Sequence, residues 1–170
     1  MSNALGQRVE GWLRKVGSTP VKIHDDQAAW HFEVDYPSGT PHRVHVVGPK
    51  DRPEAVVIAT MINVSPEHVK TFGELDDDDK AAFLWDLRKT LNQDFAEFTL
   101  VGYQEGLVCP AGFQITATRF EDGLSLDSFA RSISSVYKTE LAGIMCVQEH
   151  LGPKGYGAGG RFDFKRLGLQ

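Results

Sequence analysis

Cysteine is scarce in this 170-residue sequence: only Cys109 and Cys146 occur, and neither belongs to a CxxC pair or a Cys/His spacing. Two isolated thiols do not build the disulfide framework of a small secreted protein, and they lack the spacing of zinc ligands. The sequence also lacks a run of about 18 apolar residues, and its first residues, MSNALGQRVEGWLRKVG, lack the apolar core of a signal peptide. We therefore expect a cytoplasmic protein with reduced thiols that does not cross a membrane.

Positive charge is not in excess either: 18 Lys and Arg stand against 23 Asp and Glu, for a formal net charge of −5. Phosphate binding draws on a basic surface, so nucleic acid is not an expected partner. Hydrophobic residues make up 41% of the chain and charged residues 24%, which is ordinary for a globular protein. We predict one domain over residues 1–152, followed by a basic, glycine-rich tail over residues 153–170.

Catalytic and cofactor motifs are missing as well. No serine lies in GxSxG, and neither cysteine has a nearby histidine in a recognisable pattern. Gly155, Gly157 and Gly160 spell GxGxxG, but they follow a predicted helix and lead into none, which is the wrong context for a dinucleotide. The acidic run 76–79 lacks the glycine of a calcium loop and fits a solvated helix start. We expect no cofactor. The alternative of an enzyme whose active site is assembled from residues distant in sequence is left open.

Amphipathic segments, in contrast, are well defined along the chain. Helical spacing of apolar residues begins at Leu5, alternation of period two runs from Val21 to Ile62, and a Ser65-Pro66 start opens a short helix to about Phe72. The remaining segments are a second middle helix from Asp76 whose apolar set extends to Phe95, two strands, and a helix of 26 residues that ends at Gly152. The order α-βββ-α-ββ-α predicts an α+β two-layer sandwich, with a mostly antiparallel sheet packed on long helices.

The clearest alternation lies in AWHFEVDY and HRVHVVG, which a turn of Pro, Ser, Gly and Thr joins. If Tyr36 lies opposite His42, apolar pairs form on one face and polar pairs on the other. The predicted pairs are Phe32 with Val46, Val34 with Val44, Glu33 with His45 and Asp35 with Arg43. Both faces favour the same register, which makes a hairpin the firmest local prediction.

Over roughly residues 4–151 this element order resembles the two-layer fold of type III secretion chaperones. The chain is similar to an uncharacterised family of archaeal and bacterial cytoplasmic proteins placed in that superfamily. In the secretion chaperones the fold is a homodimer that binds an extended effector segment. The resemblance therefore implies a noncatalytic, dimeric module that binds a protein or peptide. This chain differs from them in its glycine-rich tail and in a middle helix that is split at Gly73.

The polar face of the hairpin carries the strongest chemical candidate. His31, Glu33 and His45 could converge there, and imidazole with carboxylate suits zinc or another transition metal. The alternative is a solvated or ion-paired sheet face, since Glu33 with His45 is already a sensible cross-strand pair. His24 with Asp25 and Asp26 forms a second, weaker acidic cluster in a turn. His42 is expected to be only a strand-end residue.

Two further patterns suggest self-association. The middle helices carry apolar residues on more than one face, which favours a homodimer in which Phe72 and Trp85 contact a partner. In the tail, Phe162, Phe164, Leu167 and Leu169 alternate as an extended strand does. We expect the tail either to dock on a sheet edge or to cross a dimer interface, with a mobile surface tail as the alternative. Phe162 and Phe164 are its candidate partner-binding residues.

Overall fold

The computed structural model describes residues 4–92 and 95–152, which form a six-stranded sheet packed on four α-helices. The helices are α1 (Ala4–Lys15), α2 (Pro66–Glu74), α3 (Asp77–Leu91) and α4 (Leu126–Leu151), with a short 3₁₀ turn at Glu121–Gly123. The strands are β1 (Val21–Lys22), β2 (Ala28–Asp35), β3 (Arg43–Pro49), β4 (Ala55–Asn63), β5 (Glu97–Val101) and β6 (Gly112–Phe120).

The strands lie in the order β1-β2-β3-β4-β6-β5, and every neighbouring pair is antiparallel. Strands β2, β3 and β4 follow one another as a meander, and β6 then inserts between β4 and the edge strand β5. The predicted α+β two-layer sandwich is confirmed. The short strand β1, at the opposite edge, adds one element to the predicted order.

The predicted hairpin register is confirmed along β2 and β3: Phe32 lies opposite Val46, Glu33 opposite His45 and Val34 opposite Val44. The amide of Tyr36 donates to the carbonyl of His42, so the pairing continues one step past the strands. The register shifts between Ala28 and Trp30, where the regular alternation of β2 begins.

The two faces of the sheet differ in what packs on them. The inner face is the one whose side chains join the main core with the helices, and it includes Phe32, Val46, Ile58, Phe113 and Ile115. Helices α1, α2, α3 and α4 all contribute buried side chains to the same core, so within residues 4–92 and 95–152 the helices lie on this face. We call the opposite side the outer face.

Both middle helices begin where the sequence predicts. At the start of α2, the Ser65 hydroxyl accepts a hydrogen bond from the backbone amide of His68. At the start of α3, a carboxylate oxygen of Asp76 accepts a hydrogen bond from the backbone amide of Asp79. The predicted extension of the second middle helix to Phe95 is wrong, because α3 ends at Leu91 and Phe95 is exposed beyond it.

Helix α4 has the predicted 26 residues. A reciprocal capping box between Ser125 and Ser128 fixes its start, and Gly152 ends it at a φ of 95°, a conformation that glycine adopts without strain. The helix packs on β4, β6 and α3, so it anchors the centre of the sheet. No helix in the described parts of the chain is both long enough and apolar enough to span a membrane.

Candidate functional site

A hydrogen-bonded histidine pair occupies the outer face at β2 and β3. Nδ1 of His31 lies 3.0 Å from Oδ2 of Asp25, and Nε2 of His31 lies 2.9 Å from Nδ1 of His45. The two imidazole rings meet edge to face with their centroids 5.1 Å apart. We call Asp25, His31, His45 and Glu33 the histidine cluster.

The cluster continues from His45 towards solvent. Nε2 of His45 lies 3.8 Å from Oε2 of Glu33, which is too long for a hydrogen bond. The other carboxylate oxygen of Glu33 lies 3.4 Å from the Arg43 guanidinium. The cluster thus runs from a turn carboxylate through two imidazoles to a carboxylate paired with arginine.

Burial sets the charge of the cluster. His31 is 5% exposed, and burial lowers its pKa, although the nearby Asp25 carboxylate opposes that effect. Burial, followed by the neighbouring His31 and Arg43, lowers the pKa of His45 to about 4. Both rings are therefore neutral at pH 7.

A single proton arrangement suits two neutral rings. The Asp25 carboxylate only accepts, so Nδ1 of His31 carries the proton and Nε2 of His31 accepts from Nδ1 of His45. Nε2 of His45 is then the basic nitrogen at the outer end. In this network, the hydrogen bond that each ring makes fixes the tautomer of the next ring.

The structure brings together the three residues proposed for a metal, His31, Glu33 and His45. Both facing nitrogens of the two rings are, however, hydrogen-bonded to each other. No group of three or more His, Cys, Asp or Glu has the geometry of a metal site within the residues that the structure describes. The described cluster favours a hydrogen-bond network over a preformed cage of ligands.

Two expectations for this face need correction. The alternative expectation is a solvated or ion-paired sheet face. The solvated form is wrong for His31, which is almost fully buried, whereas Glu33 lies within ion-pair distance of Arg43. Asp25 contacts His31. The other two residues of the predicted turn cluster, His24 and Asp26, form an exposed pair in which Nε2 and Oδ1 lie 3.2 Å apart. Sequence spacing missed the link because the register shift in β2 and the preceding turn decide where Asp25 points.

A second, partly buried pair has no local signature in the sequence. Nδ1 of His42 lies 3.0 Å from Oε1 of Glu140, a residue of α4 that is 2% exposed, and the Tyr137 ring meets His42 edge to face. Burial raises the pKa of Glu140, and the bond to His42 opposes that effect. The prediction that His42 is only a strand-end residue is wrong. The pair joins residues 98 positions apart, so no local pattern could reveal it.

Neither cysteine is activated. Burial raises the pKa of Cys109 to about 11, and burial is also the main reason that the pKa of Cys146 rises to about 11. Both thiols therefore stay protonated at neutral pH, which leaves no thiolate nucleophile.

The candidate partner-binding residues have different locations. Phe72 is buried and packs edge to face on Phe83, with ring centroids 5.7 Å apart, so it belongs to the core and offers no surface to a partner. Trp85, on α3, is 68% exposed. Phe162 and Phe164 lie outside the described residues.

Trp85 lies on a regular exposed stripe of α3. Asp78, Ala82, Trp85 and Lys89 are all exposed and follow one another at steps of four, three and four residues, which places them along one line of the helix. The opposite face of α3 is buried and includes Phe83, Leu84, Leu87 and Leu91. We call these four exposed residues the α3 stripe.

The fold and the histidine cluster define an α+β protein with a two-layer sandwich and no described catalytic triad or metal cage. The chain belongs to the family described as "Uncharacterized conserved protein (DUF2299)", which matches residues 5–147. It is similar to a solved structure, "Crystal structure of an uncharacterized protein from Methanothermobacter thermautotrophicus". That similarity has 28% identity and a TM-score of 0.76, over 86% of this chain and 98% of that one. No curated protein matches.

Proposed function

We propose that this protein is a noncatalytic module that binds a protein or peptide and acts as a cytoplasmic homodimer, similar in role to the type III secretion chaperones. The element order on which that resemblance rests is present, and a sheet covered by helices on one face is compatible with it. The two protonated thiols offer no thiolate nucleophile, and a pKa of about 4 makes His45 a weak base, which favours binding over catalysis.

The observation that carries the proposal is the self-complementarity of the α3 stripe. If two copies of α3 cross antiparallel about a two-fold axis, Asp78 of one copy lies against Lys89 of the other, and Ala82 lies against Trp85. The indole then has a small side chain opposite it, and each end of the contact pairs a carboxylate with an ammonium. Such a contact closes after two copies, so it predicts a dimer.

The exposed Trp85 supplies the largest apolar surface of this contact. A tryptophan that is 68% exposed on a helix is unusual for a surface without a partner, since tryptophan is enriched in interface centres. Acidic residues in the first turn and Arg88 with Lys89 in the last turn give the helix opposite charges at its two ends. An antiparallel partner helix therefore meets opposite charge at both ends.

Light scattering coupled to size-exclusion chromatography tests the dimer. We expect twice the chain mass at micromolar concentration, and Trp85→Glu should weaken association by about 100-fold or more because it buries a charge at the centre of the contact. The matched control is Met145→Glu, a similar change at an exposed apolar position of α4 outside the stripe, which should leave the mass unchanged. A wild-type chain that stays monomeric at these concentrations rules the homodimer out.

A metal-dependent or ligand-binding enzyme at the hairpin face is the second candidate. It is favoured by the convergence of His31, Glu33 and His45. Metal analysis of protein purified without an affinity tag separates the two readings. The binding module predicts less than about a tenth of an equivalent of transition metal. A stoichiometric metal that is lost in His45→Ala would favour the enzyme.

A further inference from the structure

The outer face of the sheet is buried although the described helices lie on the inner face. Val47 and Ala59 are 0% exposed, and Val57 is 2% exposed. None of the three belongs to the core cluster that the helices share. A sheet face that meets solvent exposes such side chains, so burial of this degree requires a covering layer.

The buried outer residues are contiguous. The strand pairings place His31, Val47, Val57 and Thr118 in one row across β2, β3, β4 and β6. The adjacent row contains Glu33, His45, Ala59, Thr116 and Glu97. The apolar centre thus lies on β3 and β4, and the histidine cluster borders it on the β2 side.

We propose that residues 153–170 of the same chain bind the outer face in an extended conformation, with Phe162 and Phe164 over Val47, Val57 and Ala59. The inference goes beyond the proposed dimer, because the α3 stripe lies on the other layer of the molecule. The outer face is then a peptide-binding surface, and the peptide that it binds is the C-terminal segment of the same chain.

The point where this segment starts supports the assignment. Nε2 of His68 bonds to the carbonyl of Gly152 at 2.9 Å, and His68 lies in the first turn of α2, just after β4. The segment therefore starts beside the end of β4. Nine residues, 153–161, span up to about 30 Å when extended, which is enough to pass around the end of a sheet and reach its other face.

Composition supports the same assignment. The glycine-rich first half gives the freedom to turn, and in RFDFK the apolar residues Phe162 and Phe164 then alternate with polar residues, as in a strand with one buried face. Lys154, Arg161, Lys165 and Arg166 make the segment basic, whereas the chain as a whole carries −5. Asp25 and Asp35 lie along the β2 side of the outer face, beside the pair of Glu33 with Arg43, so charges of opposite sign meet at its rim.

Thiol reactivity in the full-length chain tests the proposal. In a background with Cys109→Ser and Cys146→Ala, Val57→Cys places a thiol at the centre of the outer face, and Gln7→Cys places one on the exposed side of α1. We expect maleimide to modify the first thiol about 100-fold more slowly than the second, because reaction requires the covering segment to open. Equal rates would mean that the face is open, and they would overturn the proposal.

A substitution pair in the segment identifies the occupant. Phe162→Glu with Phe164→Glu should accelerate modification of Val57→Cys at least about tenfold, because two carboxylates do not pack on the apolar centre. The matched control, Phe162→Leu with Phe164→Leu, should retain most of the protection. Protection that survives the glutamates, or that disappears on dilution and so reports a second copy, would overturn the assignment.

Two measurements keep this test separate from the dimer and from misfolding. Protection at Val57→Cys should persist in Trp85→Glu, so loss of the dimer alone leaves the proposal standing. In the unmodified chain, the amides of residues 162–169 should exchange with solvent at least about 100-fold more slowly than free peptide. Exchange at the free-peptide rate would rule out docking of the segment, whatever the substituted variants do.

Discussion

The buried histidine pair makes a measurable contribution to stability at the scale of single residues. His45 has a pKa of about 4 in the folded protein and a reference value of 6.5, so the unfolded chain binds more protons between these two pH values. Its contribution is fully present above pH 6.5 and is lost as the pH falls towards 4. The lowered pKa of His31 acts in the same direction, while Asp25 opposes the lowering of the pKa at both rings and Glu33 opposes it at His31.

We predict that the free energy of unfolding falls by about 2 kcal/mol between pH 7 and pH 5 through His45. Urea titrations at the two pH values measure this loss. It should largely disappear in His45→Gln and persist in His24→Gln, because His24 is exposed and so is its neighbour Asp26. An unchanged pH dependence in His45→Gln would contradict the lowered pKa.

The pair formed by His42 and Glu140 predicts a different pattern. Glu140→Ala should lower the free energy of unfolding by about 2 kcal/mol or more, because it leaves a cavity and removes the acceptor of the His42 bond. Glu140→Gln should cost less than about 1 kcal/mol, since its carbonyl still accepts and the buried charge is gone. Chemical denaturation at pH 7 compares the two, and equal losses would argue against the hydrogen bond.

Three of the four residues of the histidine cluster are predictable from the sequence, but Asp25 and the environment of the cluster are not. Alternation placed His31, Glu33 and His45 on one face, because side-chain direction in a strand follows from position alone. It did not reveal their burial, which depends on what covers the face. It missed Glu140 because the long helix, not a local pattern, brings that carboxylate to His42.

The elements themselves follow closely from local chemistry. Ser65 and Asp76 cap the two middle helices at the starts that the sequence predicts, Ser125 caps α4, and alternation gives the hairpin register. The sequence pattern predicts an end of α3 that is later than the observed end at Leu91. An apolar residue at helical spacing, Phe95, extended the pattern past Leu91, although periodicity alone does not terminate a helix.

Packing between α1 and the sheet predicts opposite effects for two glycines of one helix. A Cβ on Gly6 would lie 2.8 Å from the Trp30 ring, whereas one on Gly11 meets nothing within 4 Å. Gly6→Ala should therefore destabilise by about 1–3 kcal/mol, and Gly11→Ala should stabilise by up to about 1 kcal/mol through helix propensity. Thermal unfolding of both variants checks the pair, and equal shifts would mean that Trp30 does not pack on Gly6.

At the scale of the whole molecule, the proposed dimer makes a prediction about charge. Lys89→Asp would set two like-charge pairs across the antiparallel α3 contact and weaken association about tenfold. Adding Asp78→Lys to the same chain reverses both partners and should restore it. Lys138→Asp, on the exposed side of α4, is the control and should have little effect. Sedimentation equilibrium measures all four chains, and failure of the double variant to recover would exclude this pairing.

Fold class was predictable from the order of elements, but strand order was not. The meander of β2, β3 and β4 follows from short connections, since neighbours in sequence commonly pair. The insertion of β6 between β4 and β5 has no local signature. It depends on α4, which packs on both β4 and β6.

The pairing of β4 with β6 also sets an order of events during synthesis of the chain. Asn63 pairs with Gly112, and Ala55 pairs with Phe120, so the central seam of the sheet closes only after residues 64–111 have been made. The hydrophobic strand β4 must therefore leave the ribosome well before β6, its second neighbour in the sheet. Closing so long a loop is slow compared with forming the β2–β3 hairpin. The nascent chain consequently passes through a stage in which β4, its most apolar strand, is paired with β3 along one edge and is still unpaired along the other.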